Sequence, residues 1–157
     1  MSYGCDGGFL EGAFSYMITP GITSEFSYPY SKLSYESSVS GRCRDFSVSH
    51  PRFKIKDFMN IEKGNCLKVK KRLMNHPIAI GISARRMLLY KSGIFNGCRE
   101  SDQEDHAVLL IGYKEKKGWK IKNSWGTKWG ENGYGWIADG NNCNICNMAF
   151  YPIPFHG

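Results

Sequence analysis

The sequence predicts an α+β fold in which a helical N-terminal third precedes a mostly antiparallel β remainder. In residues 7–19 the apolar side chains recur at the spacing of a helix: Phe9, Leu10, Ala13, Phe14, Met17 and Ile18. From residue 78 onward, short apolar runs are separated by turn-forming residues, which is typical of strands. The two patterns occupy separate parts of the chain.

The elements of the first part begin and end at recognisable residues. Pro20-Gly21 ends the first predicted helix. The Ser-rich stretch from Tyr28 to about Gly41 has no periodicity, which predicts an ordered surface loop. Phe53 to Phe58 alternates apolar and charged residues and predicts a strand, and Cys66 to Asn75 predicts a second short helix that His76-Pro77 ends.

Four strands are predicted in the remainder of the chain: Ile78–Ile82, Ala107–Tyr113, Trp119–Asn123 and Tyr134–Ala138. Lys114 to Gly118 predicts a tight hairpin loop between the second and third of them. There are no internal repeats and no low-complexity linker.

Composition excludes several classes of protein. At 41% hydrophobic and 22% charged residues the chain is not a disordered one, and no apolar run approaches the ~20 residues that span a bilayer. The net charge of +7 invites a nucleic-acid interpretation, but the basic residues are scattered. The densest run, Lys68 to Arg72, is interpreted as the solvated face of a short helix, so neither a nucleic acid nor a membrane is expected as partner.

Six cysteines suit an oxidising or lysosome-like compartment: Cys5, Cys43, Cys66, Cys98, Cys143 and Cys146. The CxxC at residues 143–146 could indicate a redox or zinc motif. It stands alone, without nearby histidine ligands or a βαβ context, and structural disulfides are the favoured interpretation. No metal or other cofactor is expected.

His106, in an apolar strand-like run, is followed by Asn123 in the segment Asn-Ser-Trp-Gly, residues 123–126. A thiol nucleophile is activated by an adjacent imidazole, and that imidazole must be held by a third group. His106 and Asn123 supply the second and third members of such a set. A histidine buried in a core and an asparagine in a turn are the alternatives.

Several motifs occur together in one order. They are Gly4-Cys5-Asp6-Gly7-Gly8, Tyr28-Pro29-Tyr30, Tyr90-Lys91-Ser92-Gly93-Ile94-Phe95, Asp105-His106-Ala107-Val108, Asn123-Ser124-Trp125-Gly126 and Tyr151-Pro152. In this combination the chain resembles the papain family of cysteine peptidases, of the papain and cathepsin L type. The resemblance runs through most of the chain and corresponds to the C-terminal portion of the family.

The resemblance implies a papain-like two-lobed α+β fold that is incomplete here. Residues 1–58 would be the remainder of the helical lobe, with the Gly-Cys-Asp-Gly-Gly cleft segment. Residues 59–157 would be an antiparallel β-barrel lobe that carries the catalytic His and Asn. The active site would lie in the cleft between the lobes.

The resemblance also implies roles for individual residues. His106 would be the general base and acid, and Asn123 would accept a hydrogen bond from its ring. Trp125 would cover that bond from water and Trp129 would pack on Trp125. The other expected substrate-binding residues are Gly7, Gly8, Phe9, Leu10, Asp105, Ala107 and Met148, of which four (Phe9, Leu10, Ala107 and Met148) would form an apolar specificity pocket.

For the cysteines the resemblance implies a disulfide between Cys98 and Cys143. Cys5 and Cys43 match half-cystines whose family partners lie upstream of this chain, and Cys66 and Cys146 have no assigned counterpart. In the family the nucleophile stands in a Cys-Gly-Ser-Cys-Trp type segment, with its His and Asn about 130–150 residues downstream. No such segment occurs here, so the chain is predicted to be inactive alone.

Three explanations remain open at this point: a portion of an ordinary cysteine-type endopeptidase, a noncatalytic homologue that binds peptides or proteins, or a relative with Ser as nucleophile and a structural role. The expected partners are an extended peptide or protein substrate and cystatin-type inhibitors. The family and the cysteines together predict a lysosomal, vacuolar or extracellular location. The start of the chain shows no signal peptide.

Overall fold

The computed structural model describes Tyr3 and residues 7–29, 52–99 and 101–155. Within these ranges lie two α-helices, α1 (Leu10–Ile18) and α2 (Cys66–Leu73), and two 3₁₀ helices, Arg85–Met87 and Asn142–Asn144. The strands are β1 (Asp57–Ile61), β2 (Ile78–Ile82), β3 (Ile94–Phe95), β4 (His106–Lys114), β5 (Gly118–Lys122), β6 (Tyr134–Ile137) and β7 (Met148–Ile153).

The strands form one sheet in the order β1-β7-β2-β4-β5-β6-β3. Strand β2 pairs antiparallel with both β4 and β7, and β5 pairs antiparallel with β4 and β6. Strands β3 and β6 are parallel. The predicted α+β class with a mostly antiparallel sheet is confirmed. None of the helices in the described ranges is long and apolar enough to cross a bilayer.

The chain divides into two compact units, Met1–Phe58 with Pro152–Gly157, and Met59–Tyr151. The boundary between the units cuts both β1 and β7. The interpretation of residues 1–58 and 59–157 as two lobes stays a prediction.

In the first unit, α1 begins after Phe9, whose backbone is extended. The helix buries Phe14, which stacks on the ring of Phe58 at a centroid distance of 5.4 Å. Gly21 follows the helix with a φ of +90°, and a Cβ there would lie 2.9 Å from the carbonyl oxygen of Phe53. Only glycine fits both requirements. The helix itself ends at Ile18, just before the predicted Pro20-Gly21 pair.

The strand predicted at Phe53 to Phe58 is wrong by about four residues, because the ladder begins at Asp57. Phe53 makes only an isolated bridge with Ile22. The next amides bond elsewhere: Ile55 donates to the carbonyl of Met17, and Lys56 to that of Ile153. The segment is extended, but its partners change from residue to residue. The predicted loop from Tyr28 to Gly41 lies outside the described residues after position 29.

The second unit is built on the fully buried isoleucines of β2, Ile78, Ile80 and Ile82. Burying each such side chain contributes about 1.5–3 kcal/mol. Strand β2 has the predicted bounds, while β4, β5 and β6 differ from prediction by one residue at one or both ends. The predicted hairpin between β4 and β5 is confirmed. Strands β3 and β7 were not predicted.

Helix α2 is capped by Asn65, whose side-chain oxygen accepts the amide N–H of Lys68 at 3.0 Å. Its single buried side chain is Val69. Cys66, the first residue of α2, forms a disulfide with Cys146, and Cys98 forms one with Cys143. The disulfide interpretation of the CxxC motif is confirmed, since its two cysteines belong to two different bonds.

Candidate active site

His106 is the first residue of β4 and lies opposite Ile82, the last residue of β2. The backbone before it is fixed too, because the amide of Asp105 donates to the carbonyl oxygen of Ile82 at 3.0 Å. The ring therefore projects from the end of a strand pair rather than from a free loop, and its side chain is half-buried.

The segment that leads into His106 is held by polar contacts of two acidic residues. The Asp102 carboxylate accepts the amide of Arg99 and the guanidinium of Arg86, each at 2.9 Å. The Arg99 amide and then Arg86 hold the pKa of Asp102 below its usual range. Glu104 accepts the side-chain amide of Asn147 at 2.8 Å. These contacts hold the segment before His106 and so restrict the position of that residue.

Asn123 directly follows β5, and its amide donates to the carbonyl oxygen of Gly133 at 2.9 Å. Its side-chain oxygen lies 2.8 Å from Nε2 of His106 and accepts the amide N–H of Ser124 at 2.7 Å. The contact expected from the resemblance is thus present.

The second of these bonds fixes the proton on the histidine ring. A backbone N–H can donate only to an acceptor, so the atom beside Ser124 is the amide oxygen of Asn123 and not its nitrogen. An oxygen cannot donate to the ring, and Nε2 of His106 must therefore carry the hydrogen. In the neutral ring the lone pair then lies on Nδ1.

Two tryptophans follow the asparagine. Trp125 stacks on the ring of His106 with centroids 4.6 Å apart and planes inclined by 29°. Trp129 stands perpendicular to Trp125 at 5.5 Å, as expected, and its indole N–H donates to the carbonyl oxygen of Met87 at 2.9 Å. Trp125 covers one face of the imidazole, and the buried Trp129 fixes Trp125.

Tyr90 continues this aromatic cluster on its far side. Its ring lies 5.2 Å from that of Trp129, and its hydroxyl donates to the carbonyl oxygen of Gly93 at 2.6 Å. Burial raises the pKa of Tyr90. Gly135 makes room for the cluster, because a Cβ there would lie 2.8 Å from the Trp129 indole.

Two of the predicted pocket residues lie on the two strands that flank β2, with a glycine of β2 between them. Ala107 on β4 and Met148 on β7 both pair with Gly81 on β2, so all three share one face of the sheet. A Cβ on Gly81 would lie 2.9 Å from the sulfur of Met148. Met148 thus fills the space that Gly81 leaves open. An isolated Gly in a strand pattern was the available signal, and it was missed.

Asp105 has a local bonding partner in the structure. One of its carboxylate oxygens accepts the amide N–H of Ala84 at 2.8 Å, immediately before the 3₁₀ helix Arg85–Met87. This contact orients backbone and uses part of the carboxylate that was expected to face substrate. Its part in substrate binding stays a prediction.

The remaining predicted substrate-binding residues belong to the first unit. Gly7 has a φ of +93°, and a Cβ there would meet no atom within 4 Å. Its conformation, rather than a close approach, is what requires glycine. Gly8 and Phe9 are exposed and Leu10 is half-buried at the start of α1. Their role in substrate binding stays a prediction.

Four of the six cysteines are consumed by the two disulfides. Cys5 and Cys43 lie outside the described residues. The described part of the site is an imidazole whose Nε2 is held by an amide oxygen, whose Nδ1 is turned to no described partner, and whose face is covered by an indole. Such an arrangement can take a proton from a nucleophile and return it to a leaving group.

Residues 1–153 match the model of a protein family described as papain family cysteine protease. The chain is 37% identical to pro-cathepsin H of Mus musculus over 98% of its length and 47% of the relative's. It is 31% identical to cathepsin L 1 of Paramecium tetraurelia over 96% of its length and 44% of the relative's. The chain thus spans about half the length of these curated relatives.

Solved structures agree with the sequence matches. The Carica candamarcensis cysteine protease CMS1MS2 in complex with E-64 superposes with a TM-score of 0.86 at 34% identity. That match covers 99% of this chain and 72% of the other. The bromelain protease from Ananas comosus in complex with E64 gives a TM-score of 0.82 at 31% identity, over 98% and 73% of the two chains.

Proposed function

The chain belongs to the papain family of cysteine proteases, and we propose that His106 and Asn123 are the general base and the orienting amide of that chemistry. The motif resemblance is thereby confirmed at the level of the family. The observation that carries the proposal is the 2.8 Å contact between His106 Nε2 and Asn123 Oδ1, with the proton on Nε2.

The proposed mechanism follows from this proton assignment. Nδ1 of His106 takes the proton of a thiol, and the resulting thiolate attacks the carbonyl carbon of the scissile peptide bond. The imidazolium then gives its proton to the leaving amine as the C–N bond breaks, which leaves a thioester. Water, deprotonated by Nδ1, attacks that thioester, and the acid is released as the thiol is regenerated. Asn123 holds the ring in one orientation throughout. Trp125, stacked at 4.6 Å, keeps water from one face of the ring.

We propose that none of the cysteines in this chain is the nucleophile and that the chain alone does not cleave peptides. Four of the cysteines are disulfide-bonded, which supports this view. Cys5 stands in the turn-like Gly-Cys-Asp-Gly-Gly cluster and matches a structural half-cystine. The family's Cys-Gly-Ser-Cys-Trp type segment does not occur in the 157 residues.

The proposed substrate is an extended peptide with a bulky apolar residue two positions before the scissile bond. Ala107 and Met148 support this, because they present an apolar surface beside Gly81 with no carboxylate among the three. Gly7 and Gly8 would pair with the peptide backbone. Two related proteases are in complex with E-64, which supports inhibitor binding by this family. Cystatin-type inhibitors are proposed as protein partners.

The two disulfides support an oxidising location, lysosomal, vacuolar or extracellular. A binding role without catalysis is the second candidate function, and the absence of the nucleophile segment favours it for the isolated chain.

A fluorogenic peptide with Leu or Phe at the second upstream position tests these proposals. The 157-residue chain should leave it intact. The gene product that includes any coding sequence ahead of Met1 should cleave it and should lose that activity on treatment with iodoacetamide. Failure of that longer product to cleave any such peptide, combined with tight peptide binding by the 157-residue chain, would establish the noncatalytic role instead.

A further inference from the structure

A cavity of about 230 Å³ lies beside α2 in the second unit and is lined by Ile61, Lys68, Lys71, Arg72, Asn75 and Tyr151. The four polar residues recur at i, i+3, i+4 and i+7, so the helix and its C-terminal turn present them on one side. Ile61 and Tyr151 are buried. None of these residues takes part in the His106 and Asn123 pair.

The basic run of α2 is divided by this arrangement. Lys70 points to other partners: its ammonium pairs with Asp139 at 2.9 Å and lies 3.9 Å from the centre of the Tyr113 ring. Lys68, Lys71 and Arg72 face the cavity instead. In the described part of the chain none of these three pairs with a carboxylate. The sequence-based interpretation of the whole run as one solvated face is therefore incomplete.

The groups around the cavity are donors. Arg72 is held in place, because its Nη2 donates to the Tyr151 hydroxyl at 2.8 Å and its guanidinium lies 4.1 Å from the centre of that ring. Since the Tyr151 oxygen accepts this bond, its own hydroxyl proton remains for another acceptor. The Asn75 amide and the two ammonium groups add further N–H donors. No carboxylate lines the cavity.

We propose that this cavity binds a small oxyanion, a phosphate or sulfate group, through Lys68, Lys71, Arg72 and the Tyr151 hydroxyl. A fixed guanidinium with convergent donors suits a tetrahedral oxyanion, because charge-assisted hydrogen bonds to it are strong and directional. Pockets for drug-sized ligands are roughly 300–1,000 Å³. A cavity of 230 Å³ suits one small anionic group. The inference is independent of the proposed peptidase chemistry.

The test is an NMR titration of the full chain with inorganic phosphate and, separately, with inorganic sulfate, at an ionic strength held constant with sodium chloride. Saturable shifts are expected in the amides of residues 68–75 and of Tyr151. Lys68→Gln combined with Lys71→Gln should weaken binding at least ~tenfold, because the variant loses two charge-assisted hydrogen bonds to the anion. Arg72→Lys keeps the positive charge but loses the bidentate geometry of the guanidinium, and it should weaken anion binding several-fold.

The matched control is Lys91→Gln combined with Lys114→Gln, which removes the same charge from exposed positions away from the cavity. It should leave the affinity within about twofold. Lys68 and Lys71 are exposed, so the double variant should have the same melting temperature as the wild-type protein. If phosphate binds more tightly than sulfate, the ligand is assigned as a phosphate ester. If sulfate binds more tightly, the ligand is assigned as a sulfate ester. No saturable response to either anion, or an equal loss in the control variant, would overturn the proposal.

Discussion

Nε2 of His106 lies 2.8 Å from Oδ1 of Asn123, and that oxygen also accepts the amide of the next residue, Ser124. The second bond is what gives the first its direction. It fixes the amide oxygen toward the ring, and the ring must then donate from Nε2. The backbone amide of Ser124 therefore determines which ring nitrogen can act as the base, and that nitrogen is Nδ1.

The tautomer of His106 is the first prediction. In ¹⁵N-detected NMR at a pH where the ring is neutral, His106 should be protonated at Nε2. Asn123→Ala should shift the Nε2 resonance of His106 toward that of a ring without a protein acceptor, because the hydrogen bond to Asn123 is lost. His76 serves as an internal control, since its Nδ1 lies near the carbonyl oxygen of Pro77 and should not respond. A His106 signal unchanged by Asn123→Ala would contradict the assignment.

Packing between Gly81 and Met148 gives the second prediction. Gly81→Val should destabilise the protein by about 1–3 kcal/mol through overpacking against Met148. Adding Met148→Ala should recover part of that loss, which urea denaturation of the two single variants and the double variant measures. Gly112→Ala is the control, because its nearest neighbour would be 3.8 Å from the new Cβ. Strictly additive effects would show that the two positions do not touch.

The two disulfides close loops of 80 and 45 residues. The chain-entropy treatment assigns about 4–5 and about 4 kcal/mol to loops of these lengths. Cys66→Ala with Cys146→Ala, and Cys98→Ala with Cys143→Ala, should each lower the free energy of unfolding by about 2–5 kcal/mol. Non-reducing peptide mapping should recover Cys66 linked to Cys146. A peptide that links Cys66 to another cysteine would refute the pairing.

Acid sensitivity should come in part from Asp139. Hydrogen bonds from Lys70 and Tyr113 lower the pKa of its carboxyl from 3.8 to about 2. Because the native pKa is depressed, this stabilisation is complete above about pH 4 and is lost as the pH falls toward 2. The side chain is half-exposed, which limits the effect to about 1 kcal/mol or less.

Urea denaturation at pH 5 and pH 2 measures this contribution. Asp139→Asn should lose less stability between these pH values than the wild-type protein loses. Glu115→Gln, at an exposed position of the β4–β5 hairpin, should behave as the wild-type protein does. An acid response of Asp139→Asn equal to that of the wild type would rule out the contribution.

Elements with a continuous local signal were predictable from the sequence. Strand β2 had the predicted bounds because Ile78 to Ile82 is an apolar run that starts directly after Pro77. Strand β7 gave no comparable signal, since it starts beside the CxxC motif and contains Pro152. Strand β3 has two residues and depends on its partner β6. Strand β3 forms because it pairs with β6 in the folded chain, and no local sequence pattern indicates that pairing.

The residues of the candidate site that belong to sequence motifs could be predicted. The neighbours that depend on the register between paired strands could not. The motifs brought His106, Asn123 and the two tryptophans together correctly. The place of Gly81 between Ala107 and Met148 depends on the pairing of three strands from distant parts of the sequence. The bond from Ala84 to Asp105 depends on the turn after β2. Both needed the folded chain.

The most direct test of the account compares two histidine variants in the gene product that includes any coding sequence ahead of Met1. Its kcat for an apolar fluorogenic peptide should fall by at least ~10³-fold in His106→Ala, because the base of the nucleophile is lost. His76→Ala, the matched control in the same unit, should keep the rate within about twofold. Cleavage by His106→Ala at the wild-type rate would contradict the central claim.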